Sequence, residues 1–258
     1  MKRLLLILFV GTYSMSILAQ DKKPEAGDEN LDDKKRETTF YDSYDDYQER
    51  KNKHWQGLDI GINGFMYEDG SDVPPSGYEY LRLDYSRSFY FGVNLFEVDK
   101  QINGELIKVI TGLGFDFNNF QLVGSNYLIS RNDSLIGLPD TNFGFFNSNM
   151  KNGHVTVPLL LAFNTSPKNS SSFHIAVGAI FSYRISGKQK IRYNSGDVQN
   201  DHLRYGRMHQ NPFRINATLR LGYSNFHVFG NYNVLNYWES GHAPKANLWT
   251  IGVKVIPW

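Results

Sequence analysis

From Trp55 onward the chain alternates apolar and polar residues with a period of two. Leu58, Ile60 and Ile62 alternate with Asp59, Gly61 and Asn63. Leu81, Leu83, Tyr85, Phe89, Phe91, Val93 and Leu95 share one parity against Arg82, Asp84, Ser86, Ser88, Gly92 and Asn94, and Ile107, Val109, Leu113, Phe115 and Phe117 make a third set. The later runs from Phe173 to Ile185 and from Phe213 to Tyr223 set His174, Arg184, Arg214 and Arg220 against aromatic and aliphatic neighbours. Phe226 to Val234 and Trp249 to Val255 close the chain in the same way. Successive side chains of a strand point to opposite faces, so this pattern predicts strands, and no window carries a sustained helical period. Several runs fill the roughly 9–11 residues of a tilted membrane-spanning strand rather than the roughly 5–6 of a soluble one.

Connection lengths suggest the order. Strands are expected at 55–67, 81–98, 106–124, 153–164, 173–186, 212–224, 226–236 and 247–256. Short links near 99–105, 165–172 and Ser224-Asn225 alternate with long polar links near 68–80, 125–152, 187–211 and 237–246. This arrangement predicts an all-β fold, an antiparallel up-and-down transmembrane β-barrel of eight strands with both termini in the periplasm. Ten strands are the alternative if Arg87 marks a tight turn. Parity flips at Asn118-Asn119, where a bulge would restore it. A soluble sandwich also alternates, but strand length, aromatic content and the N-terminal segment favour apolar residues facing lipid and polar residues lining the interior.

The N-terminal segment has the anatomy of an export signal. Lys2 and Arg3 precede the apolar run Leu4 to Val10, and Ile17-Leu18-Ala19 offers a small-residue cleavage site. The expected organisation is a signal peptide at 1–19, a charged flexible periplasmic segment at 20–53 and a barrel domain at 54–258. The charged segment is too poor in apolar residues to offset the entropy of ordering. Phe40, Tyr41, Tyr44 and Tyr47 punctuate it and are the candidate partner-docking residues.

Composition narrows the chemistry. The 258 residues carry a formal net charge of +1, 15% aromatic residues and no cysteine. The near-neutral balance argues against nucleic acid as a partner. The lack of cysteine removes disulfides, thiolate metal sites, a cysteine nucleophile and a lipidated N-terminal cysteine. No HExxH, nucleophile elbow or phosphate loop is present, and the seven histidines show no metal-ligand spacing. No catalytic, cofactor-binding or metal-ligating residue is therefore expected, and no enzyme activity. The inward parity is more informative: Arg82, Lys108, Arg184, Arg214, Arg220 and Lys254 would face Asp59, Asp84 and Asp116. An eight-strand barrel is only wide enough to be filled by its own side chains or to hold a small ligand. A structural charge network filling the lumen is the expectation.

Several segments resemble the small outer-membrane β-barrel family of Bacteroidota, the PorT-like proteins. They are His54-Trp55-x-Gly57, Gly92-Val93-Asn94-Leu95-Phe96-Glu97, the run from Thr111 to Asn119, Val157-Pro158-Leu159-Leu160-Leu161 and Asn211-Pro212-Phe213-Arg214. The resemblance spans Trp55 to Val255 and implies an exported barrel in the cell outer membrane. The partners it implies are outer-membrane lipid, the assembly machinery during biogenesis and a membrane-protein complex. The expected role is a non-enzymatic structural or interaction subunit presenting extracellular loops and a periplasmic tail. A narrow transport barrel, or an accessory component of a type IX-like secretion machinery, is the second reading.

Overall fold

Among the described residues, eleven strands follow one another along the chain. They are β1 (Gly57–Tyr67), β2 (Phe89–Asn103), β3 (Ile107–Gln121), β4 (Tyr127–Arg131), β5 (Ser134–Leu138), β6 (Phe145–Asn164), β7 (Phe173–Ser195), β8 (Val198–Tyr205), β9 (Phe213–Tyr223), β10 (Phe226–Asn233) and β11 (Ala246–Ile256). The structure, a computed structural model, describes residues 54–103, 106–124, 127–131, 134–138, 145–165, 173–195, 198–206, 208–223 and 226–256. The expected signal peptide at 1–19, the expected periplasmic segment at 20–53 and its candidate docking residues Phe40, Tyr41, Tyr44 and Tyr47 lie outside the described residues. Among the described residues there is no α-helix, only two short 3-10 turns at Glu79–Leu81 and Tyr85–Arg87.

Eight strands form a ring in the order β1, β2, β3, β6, β7, β9, β10, β11, and β11 pairs back onto β1. All these pairings are antiparallel. The closing seam shows how side-chain pattern fixes register. Ile60 pairs with Val253 and Ile62 with Ile251 on one face, while Asp59 pairs with Lys254 and Asn63 with Thr250 on the other. A slip of one residue would exchange the two faces, so this register is strongly specified. The start of β1 and the end of β11 lie at one end of the ring, here the terminal end, with the β2–β3, β6–β7 and β9–β10 strand ends; the opposite strand ends define the loop end.

The eight expected strands are the eight of the ring, with shifted bounds. Residues 81–88 are the main difference: Asp84 caps the second 3-10 turn by accepting from Ser86 N, and β2 starts only at Phe89. Leu81 and Leu83 turn into a buried cluster instead of continuing the outer face. Tyr85 folds over Gly64 beside Trp249, where a Cβ on Gly64 would fall 2.4 Å from the tyrosine ring. The ten-strand count therefore fails, because Tyr85–Arg87 precedes one ring strand and does not join two. The bulge also lies elsewhere: register shifts between Asn94 and Phe96, whereas the pairs around Asn118 and Asn119 are regular. The ladder between β3 and β6 is interrupted between Thr111↔Leu159 and Gly114↔Thr156, where Pro158 has no N–H to donate. Two long links are partly strand: β6 and β7 pair beyond the ring at Lys151↔Lys188, β8 folds back on β7, and β4 and β5 form a separate hairpin.

The buried apolar residues sit inside the ring's two ends. At the loop end Phe65, Phe120, Leu128, Leu135, Tyr237 and Trp238 belong to one cluster. At the terminal end Trp55 joins Ile110, Leu160, Ala162, Ala176 and Ile180. Between these plugs the inward positions are mostly polar, with the Tyr90 and Phe229 rings packed against each other among them.

Candidate functional site

The middle of the ring is built around two buried carboxylates. Asp116 on β3 accepts from Arg214 on β9, whose Nη2 lies 2.7 Å from both carboxylate oxygens. His154 Nδ1 of β6 lies 3.0 Å from Asp116 Oδ1, and Asn118 Nδ2 donates to the same oxygen at 3.0 Å. Asn63 Nδ2 of β1 extends the chain of contacts to Asn118 Oδ1 at 3.1 Å. Strands from opposite sides of the ring are thus joined through one anion.

Asp59 on β1 anchors the next layer toward the terminal end. Its Oδ2 accepts from Arg220 Nη2 at 2.8 Å and from Asn94 Nδ2 at 2.9 Å. The Arg220 guanidinium also lies 4.7 Å from the Trp55 ring centroid and 5.1 Å from that of Phe229. Planar cations favour such aromatic faces, which cover the charge where carboxylates do not. Paired ions in a low-dielectric interior offset their desolvation only with good geometry and further hydrogen bonds; both layers supply several, while Asp59 Oδ1, Arg214 Nε and Arg220 Nε have no protein partner.

The terminal end carries a third set. Lys254 Nζ donates to the carbonyl of His54 at 2.8 Å, and His174 Nε2 lies 3.0 Å from His227 Nδ1. His174 lies across Gly222, where a Cβ would meet its Nε2 at 1.7 Å, so any side chain at that position would displace the imidazole. Glu97 Oε2 accepts from the backbone N–H groups of Trp55 (2.6 Å) and Gln56 (3.1 Å) and pins the chain entering β1.

Of the nine residues assigned to an interior charge network, Asp59, Asp116, Arg214, Arg220 and Lys254 are buried inside the ring. Lys108 is partly buried and pairs with Asp99 at 2.9 Å near the short-link end. Arg184 Nη1 donates to the Gln210 carbonyl at 2.8 Å near the loop end. Arg82 is exposed, and Asp84 pairs with Arg87 at 3.3 Å on the 3-10 turn outside the ring strands. Both left the network because residues 81–88 are not strand, so parity carries no inside or outside there.

His154 and Asn118 are buried inside the ring too, but neither carries a fixed charge, so a search for charged pairs does not find them. Glu97 had a different reason. It sits one residue off the inward phase of Tyr90, Gly92 and Asn94, and the bulge at Leu95 turns it in. Buried Thr156 Oγ1, Thr218 Oγ1, Arg214 Nε and Arg220 Nε have no protein hydrogen-bond partner, which leaves capacity for water or a small polar ligand inside the ring.

A separate group lies at the loop end, where His209, Glu239 and His242 converge with ligand atoms within 4.8 Å of one another. Sequence spacing gives no metal signal at the loop histidines; the fold brings two of them together with Glu239. Comparison with family models, with curated proteins and with solved structures finds no match.

Proposed function

We propose that the chain is a transmembrane β-barrel of the cell outer membrane, with its short-link end in the periplasm, acting as a non-enzymatic structural or interaction subunit through its loop end. The observation that carries this reading is the inverted arrangement of the two strand faces. Ile60, Phe117, Leu159, Phe181, Leu219 and Ile251 are exposed on the outside while Asp59, Asp116, Arg214 and Arg220 are buried inside. Water on both faces would leave the outer belt without a partner, and lipid supplies one.

Two aromatic rows give the belt its height. Phe173, Tyr223 and Phe226 are in register at the terminal end, and Tyr183 pairs with Phe213 toward the loop end. Ten residues separate the rows on both β7 and β9. At about 3.3 Å per residue and a tilt of about 40°, that is a rise of roughly 25 Å, the height of the apolar band of such barrels. Closure gives every ring strand a paired neighbour on both sides, so the ring has no open edge, as a lipid environment requires.

The interior supports a non-conducting role. The two carboxylates are engaged across the ring, and Trp55 and the Phe65–Phe120–Trp238 cluster fill its ends. The resemblance of several sequence segments to PorT-like barrels supports an exported barrel and singles out no role; a narrow transport barrel or an accessory component of a secretion machinery is the alternative reading. Purified protein should migrate differently before and after boiling on a denaturing gel and show no steady conductance in planar bilayers. Identical migration would remove the barrel reading. Reproducible open-channel steps would replace the subunit role with transport.

A further inference from the structure

We propose that His209, Glu239 and His242 form a binding site for a divalent first-row transition metal, with Zn(II) the best match to the donor set. His209 lies between β8 and β9, and Glu239 and His242 lie on the connection from β10 to β11. His209 Nδ1 is 3.8 Å from Glu239 Oε2, and the two imidazoles stack with centroids 4.2 Å apart. Two imidazoles and a carboxylate are the three-ligand set that holds zinc with a position left open. Calcium and magnesium take oxygen ligands, and soft monovalent copper prefers sulfur, so this mixture of nitrogen and oxygen favours the borderline ions.

Two independent features point the cluster at an ion. Ser130 Oγ of the β4–β5 hairpin lies 2.5 Å from His209 Nε2. With Nε2–H donating to the hydroxyl, Nδ1 carries the lone pair on the side of Glu239, which is how an outer partner sets a metal-ligating imidazole. Backbone geometry is the second feature. Met208 and His209 have φ of 46° and 52°, two consecutive non-glycine residues in the left-handed region. Such a turn persists only where its surroundings hold it, and it clusters at functional sites. Here Glu239 N donates to the His209 carbonyl at 2.7 Å, and Gln210 bridges Trp238.

Metal bonds of about 2.0–2.1 Å in a tetrahedral site bring ligand atoms to about 3.3 Å from one another. The three side chains are half-buried on connecting segments, so rotation that tilts the imidazole stack open can supply this closure. Leu135 N donates to the His242 carbonyl at 2.8 Å, so an ion here would tie the hairpin to both connections and lock the loop end. The site does not depend on what surrounds the ring strands.

The test uses the full mature chain without a polyhistidine tag, treated with chelator and titrated with Co(II), then with Zn(II). The expected result is one equivalent of Co(II) with visible ligand-field bands that Zn(II) displaces, together with slower proteolysis between residues 206 and 212. His242→Ala and Glu239→Gln should abolish the bands or weaken binding by well over tenfold, and Ser130→Ala by about tenfold. His202→Ala, at an exposed histidine on strand β8, should leave binding unchanged. Heat-modifiable migration of each variant checks folding. Absence of the bands in the folded parent, or their retention in folded Glu239→Gln and His242→Ala proteins, would overturn the site.

Discussion

Phe213 and Arg214 are neighbours on β9, yet the phenylalanine is 59% exposed and the arginine 2%. The same exchange repeats on β6, where Leu159 is 53% exposed and Leu160 1%, although there the inward residue is apolar too. The outer face is therefore uniform in chemistry and varied only by its aromatic rows. The inner face is varied in chemistry, with an apolar cluster at the loop end, carboxylates and arginines in the middle, and Lys254 and histidines beside Trp55 at the terminal end. A uniform face suits a solvent that offers no specific contacts, as lipid does. A varied face suits partners at fixed positions, which the opposite wall of a narrow ring provides.

The inner face breaks most sharply at its anions. Asp116→Ala should leave Arg214 buried without its partner and strip His154 and Asn118 of theirs. Removal of one member of a buried pair costs about 3–5 kcal/mol, readable as a fall in the urea midpoint of unfolding in lipid vesicles. The joint change Asp116→Asn with Arg214→Met should recover much of that loss, because no uncompensated charge remains. Equal loss in the single and joint variants would mean that the pair does more than neutralise itself.

The outer face should show a dependence on depth. Leu219 lies near the middle of the belt on β9 and is 47% exposed. Leu219→Arg should cost about 2–4 kcal/mol in vesicles, and Tyr223→Arg at the terminal row only about 0–1. An exposed leucine facing water would tolerate arginine within about 0.5 kcal/mol. Equal, small effects at both positions would turn the outer face toward water.

The smallest effect concerns the extension of β7 and β8 beyond the ring. Asp201 accepts from Lys190 and pairs with Arg192, and these hydrogen bonds and charges hold its carboxyl below the usual range. A depressed folded pKa stabilises above the unfolded value, near pH 4, and that contribution is lost as pH falls through the lower folded value. Amide exchange along 188–205 should quicken at the acid end relative to Asp201→Asn, while the ring strands do not change.

Much of this was legible in the alternation, because a period of two assigns each strand residue to a face without reference to its neighbours in space. Asp59, Asp116, Arg214, Arg220 and Lys254 follow from that rule alone. It fails where the backbone leaves the strand or gains a residue. Arg82 and Asp84 lie on a turned segment, and Glu97 follows a bulge at Leu95 that reads as ordinary strand. The loop-end core was hidden for another reason: Leu128, Leu135, Tyr237 and Trp238 sit in connections rich in polar residues, and only the return of those connections over the ring brings them together. His209 and Glu239 are thirty residues apart, so their meeting is a product of topology and leaves no local signature.

The chain has no cysteine, so single cysteines introduced for spin labels report one position each. Labels at Leu219→Cys and Leu159→Cys, in protein refolded into lipid vesicles, test the central claim that the outward face meets lipid. The account predicts high accessibility to dissolved oxygen and low accessibility to a water-soluble relaxation agent at both positions, with a label at Thr218→Cys shielded from both. High accessibility of Leu219 and Leu159 to the water-soluble agent, in protein that still shows heat-modifiable migration, would contradict it.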